Sequence, residues 1–234
     1  MSPVSLLSLK YRIKQHPWIF YLASRNSYRE GFLKRAVDRR CDVVIEGFPR
    51  SANTFCVVAF ECAQGHRMRI ANHCHTPSQF ALAAKWKLPA LLLIREPSEA
   101  VISNLVYFDT VNVGSVINRY IQFHRPLVSL KASFLSADFS NVTRDFGQVV
   151  RRLNARFGTA FVPFEHTSSN LDRVQARLAD MTIKVRAENR TAVGAMPSAA
   201  KEAQKEHLRE LLRDTKFSSG MELARELYLN LRDV

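Results

Sequence analysis

The sequence predicts an α/β fold: a three-layer sandwich around a central, mostly parallel sheet, with extra helices at the N- and C-terminal ends. Three observations carry that expectation. Short apolar runs of strand length alternate with longer amphipathic stretches, the pattern of βαβ units rather than hairpins. Two of the runs, Val43-Val44-Ile45 and Pro89–Ile94, lack interior polar residues, as suits parallel strands covered on both faces. Polar clusters then fall at equivalent strand ends (Gly47–Thr54, His73–His75 and Arg95), where open parallel sheets bind their ligands.

The elements follow in order. Residues 5–39 carry apolar and basic residues at helical spacing, interrupted at Pro17, so two short helices are expected before the first strand. Their basic face (Lys10, Arg12, Lys14, Arg29, Lys34, Arg35, Arg39, Arg40) is either solvated or set against a membrane surface or an acidic partner. The strand at Val43 leads through a breaker-rich turn to a helix starting near Phe55. A second strand is expected over Arg67–His73 and a helix over Ser78–Lys87. Pro97 opens a helix over Ser98–Phe108. A polar stretch, Asp109–Ser115, precedes a helix ending near His124, and Ala132–Phe139 reads as a strand. The amphipathic helix Asp145–Phe157 is closed by Gly158. Thr159–Phe164 reads as a last strand, Ser169 with Asp172 as the cap of a helix over Leu171–Met181. Two more helices, Ser198–Asp214 and Gly220–Leu231, follow an irregular linker.

With 234 residues the chain is expected to form one domain: a helical extension over 1–40, an α/β core over 41–183 and C-terminal helices over 184–234. The formal net charge of +13 favours anionic partners. Cys41, Cys56, Cys62 and Cys74 form no Cys-x-x-Cys pair, and no secretory signal starts at Met1, so a reducing cytoplasm is the expected compartment. No apolar run approaches the roughly 18 residues that span a bilayer.

The loop after the first strand has the parts of a phosphate cradle: backbone N–H groups, then a helix N-terminus with its partial positive charge. Its spacing, Gly47 then Ala52-Asn53-Thr54, narrowly misses the nucleotide-kinase P-loop, with Asn53 in the lysine position and the cation moved to Arg50. Arg95 follows the most apolar strand, and Ser103 lies eight residues on, about two helical turns away. A guanidinium there can grip a phosphate as a fork, with the hydroxyl closing the site; pairing with Glu96 or Glu99 is the structural alternative.

These residues carry a resemblance. Pro49-Arg50-Ser51-Ala52-Asn53-Thr54-Phe55 resembles the Pro-Lys-Ser-Gly-Thr-Thr-Trp loop of sulfotransferases that use 3′-phosphoadenosine 5′-phosphosulfate, and Arg95-Glu96-Pro97 with Ser103 resembles the family's Arg-Asn-Pro motif and its serine. His75-Thr76-Pro77 is similar to the Lys-Thr-His-Leu-Pro segment, and Ala137–Asp145 resembles the Tyr-Glu-Asp-Leu segment. The resemblance spans about residues 42–157. It implies a P-loop-like core in which Arg50, Ser51, Ala52, Asn53, Thr54 and Phe55 hold the donor's 5′-phosphosulfate and adenine. Arg95 and Ser103 would hold its 3′-phosphate, with Phe139 and Arg190 as further donor contacts. His75 would be the base, assisted by His73, and Arg50 would stabilise the leaving phosphate. Arg for Lys at 50, Ala for Gly at 52, Asn for Thr at 53 and Phe for Trp at 55 depart from the family pattern and mark a divergent, bacterial-type member. No metal is implied. The acceptor would be a hydroxyl or amine compound, with an anionic glycan favoured by the charge.

Other readings stay open. A P-loop kinase using ATP and magnesium would want a lysine at Asn53. A non-catalytic basic module for nucleic acid or an acidic glycan would want exposed aromatics among its cations, whereas the aromatics here follow helical core patterns; no nucleic-acid partner is expected. His73 and His75, two apart with Cys74 and His66 nearby, suit a metal pair, but no third ligand is placed. Lys201 and Lys205 read as solvent-facing, and Arg186 lies near the irregular linker that would cover the donor.

Overall fold

The computed structural model describes residues 15–25, 35–108, 112–188 and 199–233, without the side chains of 25, 182–188 and 199–203. Four strands form one parallel sheet in the order β2-β1-β3-β4: β1 (Val43–Gly47), β2 (Ile70–Ala71), β3 (Ala90–Ile94) and β4 (Leu135–Asp138). The helices are α1 (Pro17–Arg25), α2 (Asn53–Ala63), α3 (Ser78–Trp86), α4 (Pro97–Phe108), α5 (Val113–His124), α6 (Phe139–Arg144), α7 (Phe146–Phe157), α8 (Ser168–Glu188), α9 (Ala199–Leu212) and α10 (Thr215–Leu231).

The strands' period of two sorts their side chains into two cores. Val43, Ile45, Leu91 and Leu93 meet α2, α7 and α8 on one face. Val44, Leu92 and Ile94 meet α3, α4, α5 and α10 on the other. The sheet is thus the middle of three layers, and β1 and β3 are buried at every position. Gly47 is required where β1 ends: a Cβ there would run into the Leu93 carbonyl of β3. Asp145 caps α7 by accepting from Gln148 N, and Gly158 closes it in the left-handed region at φ 65°.

Several expected elements differ. Pro17 starts α1, because a fixed φ suits a first helical turn; the rest of the expected N-terminal helices lies largely outside the described residues. β2 keeps only two of the seven residues expected, since Asn72 turns its amide back onto the Ile70 carbonyl (2.7 Å) and His73 adopts φ 53°. A 3-10 helix occupies Arg125–Ser133, so β4 begins only at Leu135. Thr159–Phe164 is not a strand. Two side-chain amides take the place of a sheet neighbour: Asn154 bonds Phe161 N and O, and Gln64 bonds Val162 N and O. α8 starts three residues before the expected helix and is capped by Thr167, whose hydroxyl accepts from Asn170 N.

Candidate functional site

One cleft of about 1600 Å³ runs over the carboxyl ends of the strands and down the β2 edge. It brings together Arg50, Ala52, Asn53, Thr54, Phe55, His73, His75, Arg95, Ser103 and Phe139. Ser51 is the exception: its side chain is fully buried and does not line the cleft. Arg190 lies outside the described residues, as does the irregular linker around it.

The loop is held in a strained shape. Arg50 and Ala52 have φ of 74° and 66°, the left-handed region that disfavours a Cβ. Ala52 is the residue before α2 and offers no side-chain cap. The first N–H groups of α2 have no acceptor within the helix and stand open to an anion. Asn53 works beneath the loop: its Nδ2 donates to the Phe48 carbonyl (2.9 Å) from a buried position. Phe55 packs near Phe146, Phe164 and His166 with part of its surface on the cleft.

Arg50 stretches across to α4. Its Nε donates to Ser103 Oγ (3.3 Å), and its guanidinium lies 4.5 Å from the centroid of Tyr107. Burial lowers its pKa, and the nearby Arg95 adds to that. Among the described residues no carboxylate pairs with it. Arg95, at the end of β3, donates to the Arg50 carbonyl (3.0 Å), pairs with Glu99 (3.4 Å) and stacks over Phe139 at 4.2 Å. Two guanidiniums, one hydroxyl and a helix N-terminus therefore converge; Glu99 is the acid paired with Arg95, and Arg209 of α9 also engages it. That set fits two phosphate groups. Lys205, on the same helix, lines the cleft as well, against the expectation of a solvent-facing side chain.

Glu46 is the residue the sequence reading missed. It lies on β1, fully buried, and accepts from Gly47 N, Cys74 N, His75 N and Gln79 Nε2 (2.7–3.1 Å). Burial pushes its pKa up, but the pull of His75 and the hydrogen bonds outweigh this and hold it low. The one signal in the sequence is an acid directly following an apolar strand run, where a charge without partners is costly.

The two histidines differ sharply. His75 turns Nδ1 to the Gly47 carbonyl (2.8 Å) and to Glu46 (3.3 Å), so Nδ1 carries the proton and Nε2 remains for the cleft. Burial pulls its pKa down, yet Glu46 and the Gly47 carbonyl outweigh burial and raise it above the usual 6.5. His73 is pushed down to about 4 by burial, against the pull of Glu46. Asn72 uses its NH₂ on Ile70, so its Oδ1 accepts from His73 Nδ1–H (2.6 Å). His73 Nε2 is then bare and accepts the Thr54 hydroxyl proton (3.0 Å). Both have positive φ, 53° and 49°, and their rings are 5.8 Å apart. The chain does not continue as a strand through them. Among the described residues no group of three or more His, Cys, Asp or Glu is placed to hold a metal ion, and no helix is long and apolar enough to cross a membrane.

Among solved structures, the chain is similar to the mouse sulfotransferase SULT7A1 complexed with PAP, with a TM-score of 0.44 and 11% sequence identity over 82% of this chain and 91% of that one. No family model matches the chain. No curated protein matches it either.

Proposed function

We propose that the chain is a sulfotransferase that moves a sulfuryl group from 3′-phosphoadenosine 5′-phosphosulfate to a hydroxyl or amine acceptor. One observation carries the reading: the two segments that resemble the family's phosphate-binding motifs, far apart in sequence but following the paired strands β1 and β3, deliver Arg50, Arg95 and Ser103 to one cleft beside His75. The donor supplies a sulfuryl group already bonded to a phosphate that can leave. Transfer of this kind is in-line and loose, so the protein's task is positioning and neutralising charge.

The loop N–H groups and Arg50 gather negative charge where the leaving phosphate forms. Arg95 and Ser103 hold a second phosphate and keep the loop in place through the Arg50 carbonyl and guanidinium. His75 accepts the acceptor's proton at Nε2; its Nδ1 proton stays on the Gly47 carbonyl, and Glu46 stabilises the imidazolium. His73, neutral and committed to Thr54 and Asn72, orients the loop hydroxyl. The reading extends to an anionic or hydroxylated acceptor, and the cysteine pattern to a cytoplasmic enzyme.

The test is a thermal-shift titration with adenosine 3′,5′-bisphosphate beside ATP with magnesium. A ligand of the folded state raises the melting temperature by mass action, about 2.7 kcal/mol at a hundredfold excess over Kd. The bisphosphate shift is expected in the parent and lost in Arg95→Ala. Stabilisation by ATP with magnesium alone defeats the reading.

A further inference from the structure

The cleft is larger than one nucleotide needs, since single-ligand pockets run to about 1,000 Å³. Its residues divide along the sheet. Arg50, Ser103, Tyr107, Arg95 and Phe139 lie over β1, β3 and β4. Past the histidines, the cleft turns down the edge of β2, which has β1 on one side and, among the described residues, no strand on the other. There it is lined by Arg35, Arg67, Arg69 and Arg177 with Met68 and Ile70.

Cations outnumber acids on this edge: the four arginines line it with one carboxylate, Glu61. Arg177 is matched by Glu61 (2.6 Å), and Arg69 is paired with Asp38 (3.0 Å). Arg35 and Arg67 have no ion pair among the described residues, and both are exposed. Arg35 is anchored close to the histidines, because its carbonyl accepts from Asn72 N (2.9 Å). The benzenoid rings of the cleft, Phe55, Tyr107, Phe108 and Phe139, belong to the other half, while the His66 imidazole lines this one.

We infer that the β2 edge is a track for an extended polyanionic acceptor, an acidic polysaccharide whose carboxylates or sulfates meet Arg35 and Arg67 while a ring hydroxyl reaches His75. Its role as acceptor track rests on the sulfotransferase reading; its capacity to bind the chain does not. The placement favours a polymer over a small metabolite, because Arg67 precedes β2 while Arg35 is held at Asn72 beyond it, along an edge rather than round one point. Among the described residues this half offers one stacking ring beyond the two histidines, the His66 imidazole, whereas single-stranded nucleic acid is held on successive stacking platforms.

The experiment titrates the full chain with a fluorescein-labelled chondroitin sulfate octasaccharide, read by anisotropy at two salt concentrations. Three proteins are compared: the parent, Arg35→Ala/Arg67→Ala, and Arg151→Ala/Arg225→Ala, which removes the same charge from exposed positions off the cleft. The track variant is expected to bind at least tenfold more weakly and with a shallower salt dependence, while the control stays within twofold. Equal weakening in both variants would overturn the track, as would competition by a single-stranded DNA of equal charge as strong as that of the octasaccharide. Arg67→Gln alone gives the same reading at smaller amplitude should the double variant melt early. A parallel titration with adenosine 3′,5′-bisphosphate separates the two claims: its failure strikes the donor assignment, whereas loss of octasaccharide selectivity strikes the track.

Discussion

His73 and His75 are two residues apart, share one cleft and both sit in the left-handed region, yet their protonation is driven in opposite directions. Burial acts on each. What separates them is the hydrogen that each Nδ1 carries: His75 gives its to a carbonyl beside a buried carboxylate, His73 to a neutral amide. Proximity to a ligand loop therefore does not make a histidine a base. The partner behind the ring decides, and here that partner is Glu46.

The comparison breaks most directly at Glu46. Glu46→Gln leaves buried N–H donors facing an amide, and a loss on the order of 3 kcal/mol is expected from hydrogen bonds to a charged acceptor. Urea unfolding measures that loss, and an NMR titration of His75 should show its pKa falling once only the Gly47 carbonyl opposes burial. An unchanged His75 pKa would mean that Glu46 does not set it. Next in size, His75→Gln should slow transfer by about 10² to 10⁴, the usual worth of a general base. Binding of adenosine 3′,5′-bisphosphate should stay within twofold; His73→Gln should slow transfer far less.

The pH profile sharpens the same contrast. A base works deprotonated, so kcat/KM should rise with pH through a His75 pKa above 6.5. Stability responds with opposite signs at the two rings. His73, at about 4 when folded, contributes stability above pH 6.5 that is lost as pH falls toward 4. His75 contributes stability below 6.5 that is lost as pH rises through its raised pKa. Buried His124, also at about 4, adds to the acid-side loss. Melting temperatures between pH 4 and 8 should therefore fall on the acid side, less steeply in His73→Gln, which is the smallest effect of the set.

Much of the scaffold was legible because covered strands and amphipathic helices leave strong patterns. β1 and β3 fall where their apolar runs do, and α7 has both its cap and its closing glycine in the sequence. Thr159–Phe164 misled because apolar residues at strand spacing say nothing of what bonds the backbone, and Asn154 in the last turns of α7 and Gln64 at the end of α2 do it. In the site, the positions of Arg50, Arg95 and Ser103 followed from their strand ends. The aim of Asn53 and Ser51 did not, since backbone angles at Arg50 and Ala52 turn those side chains beneath the loop. Glu46 was invisible for another reason: its meaning lies in donors 28 to 33 residues away.

Arg95 stacks on Phe139, and the residue before that ring, Asp138, accepts from the Tyr228 hydroxyl of α10, while Arg209 of α9 holds Glu99. Asp233 also accepts from Ser136 N in β4. During synthesis, then, the cleft's cation is made early and its supports late. A nascent chain with every strand complete would still lack the back wall of its anion site, so the appearance of anion binding would time the docking of the last two helices rather than the closing of the sheet.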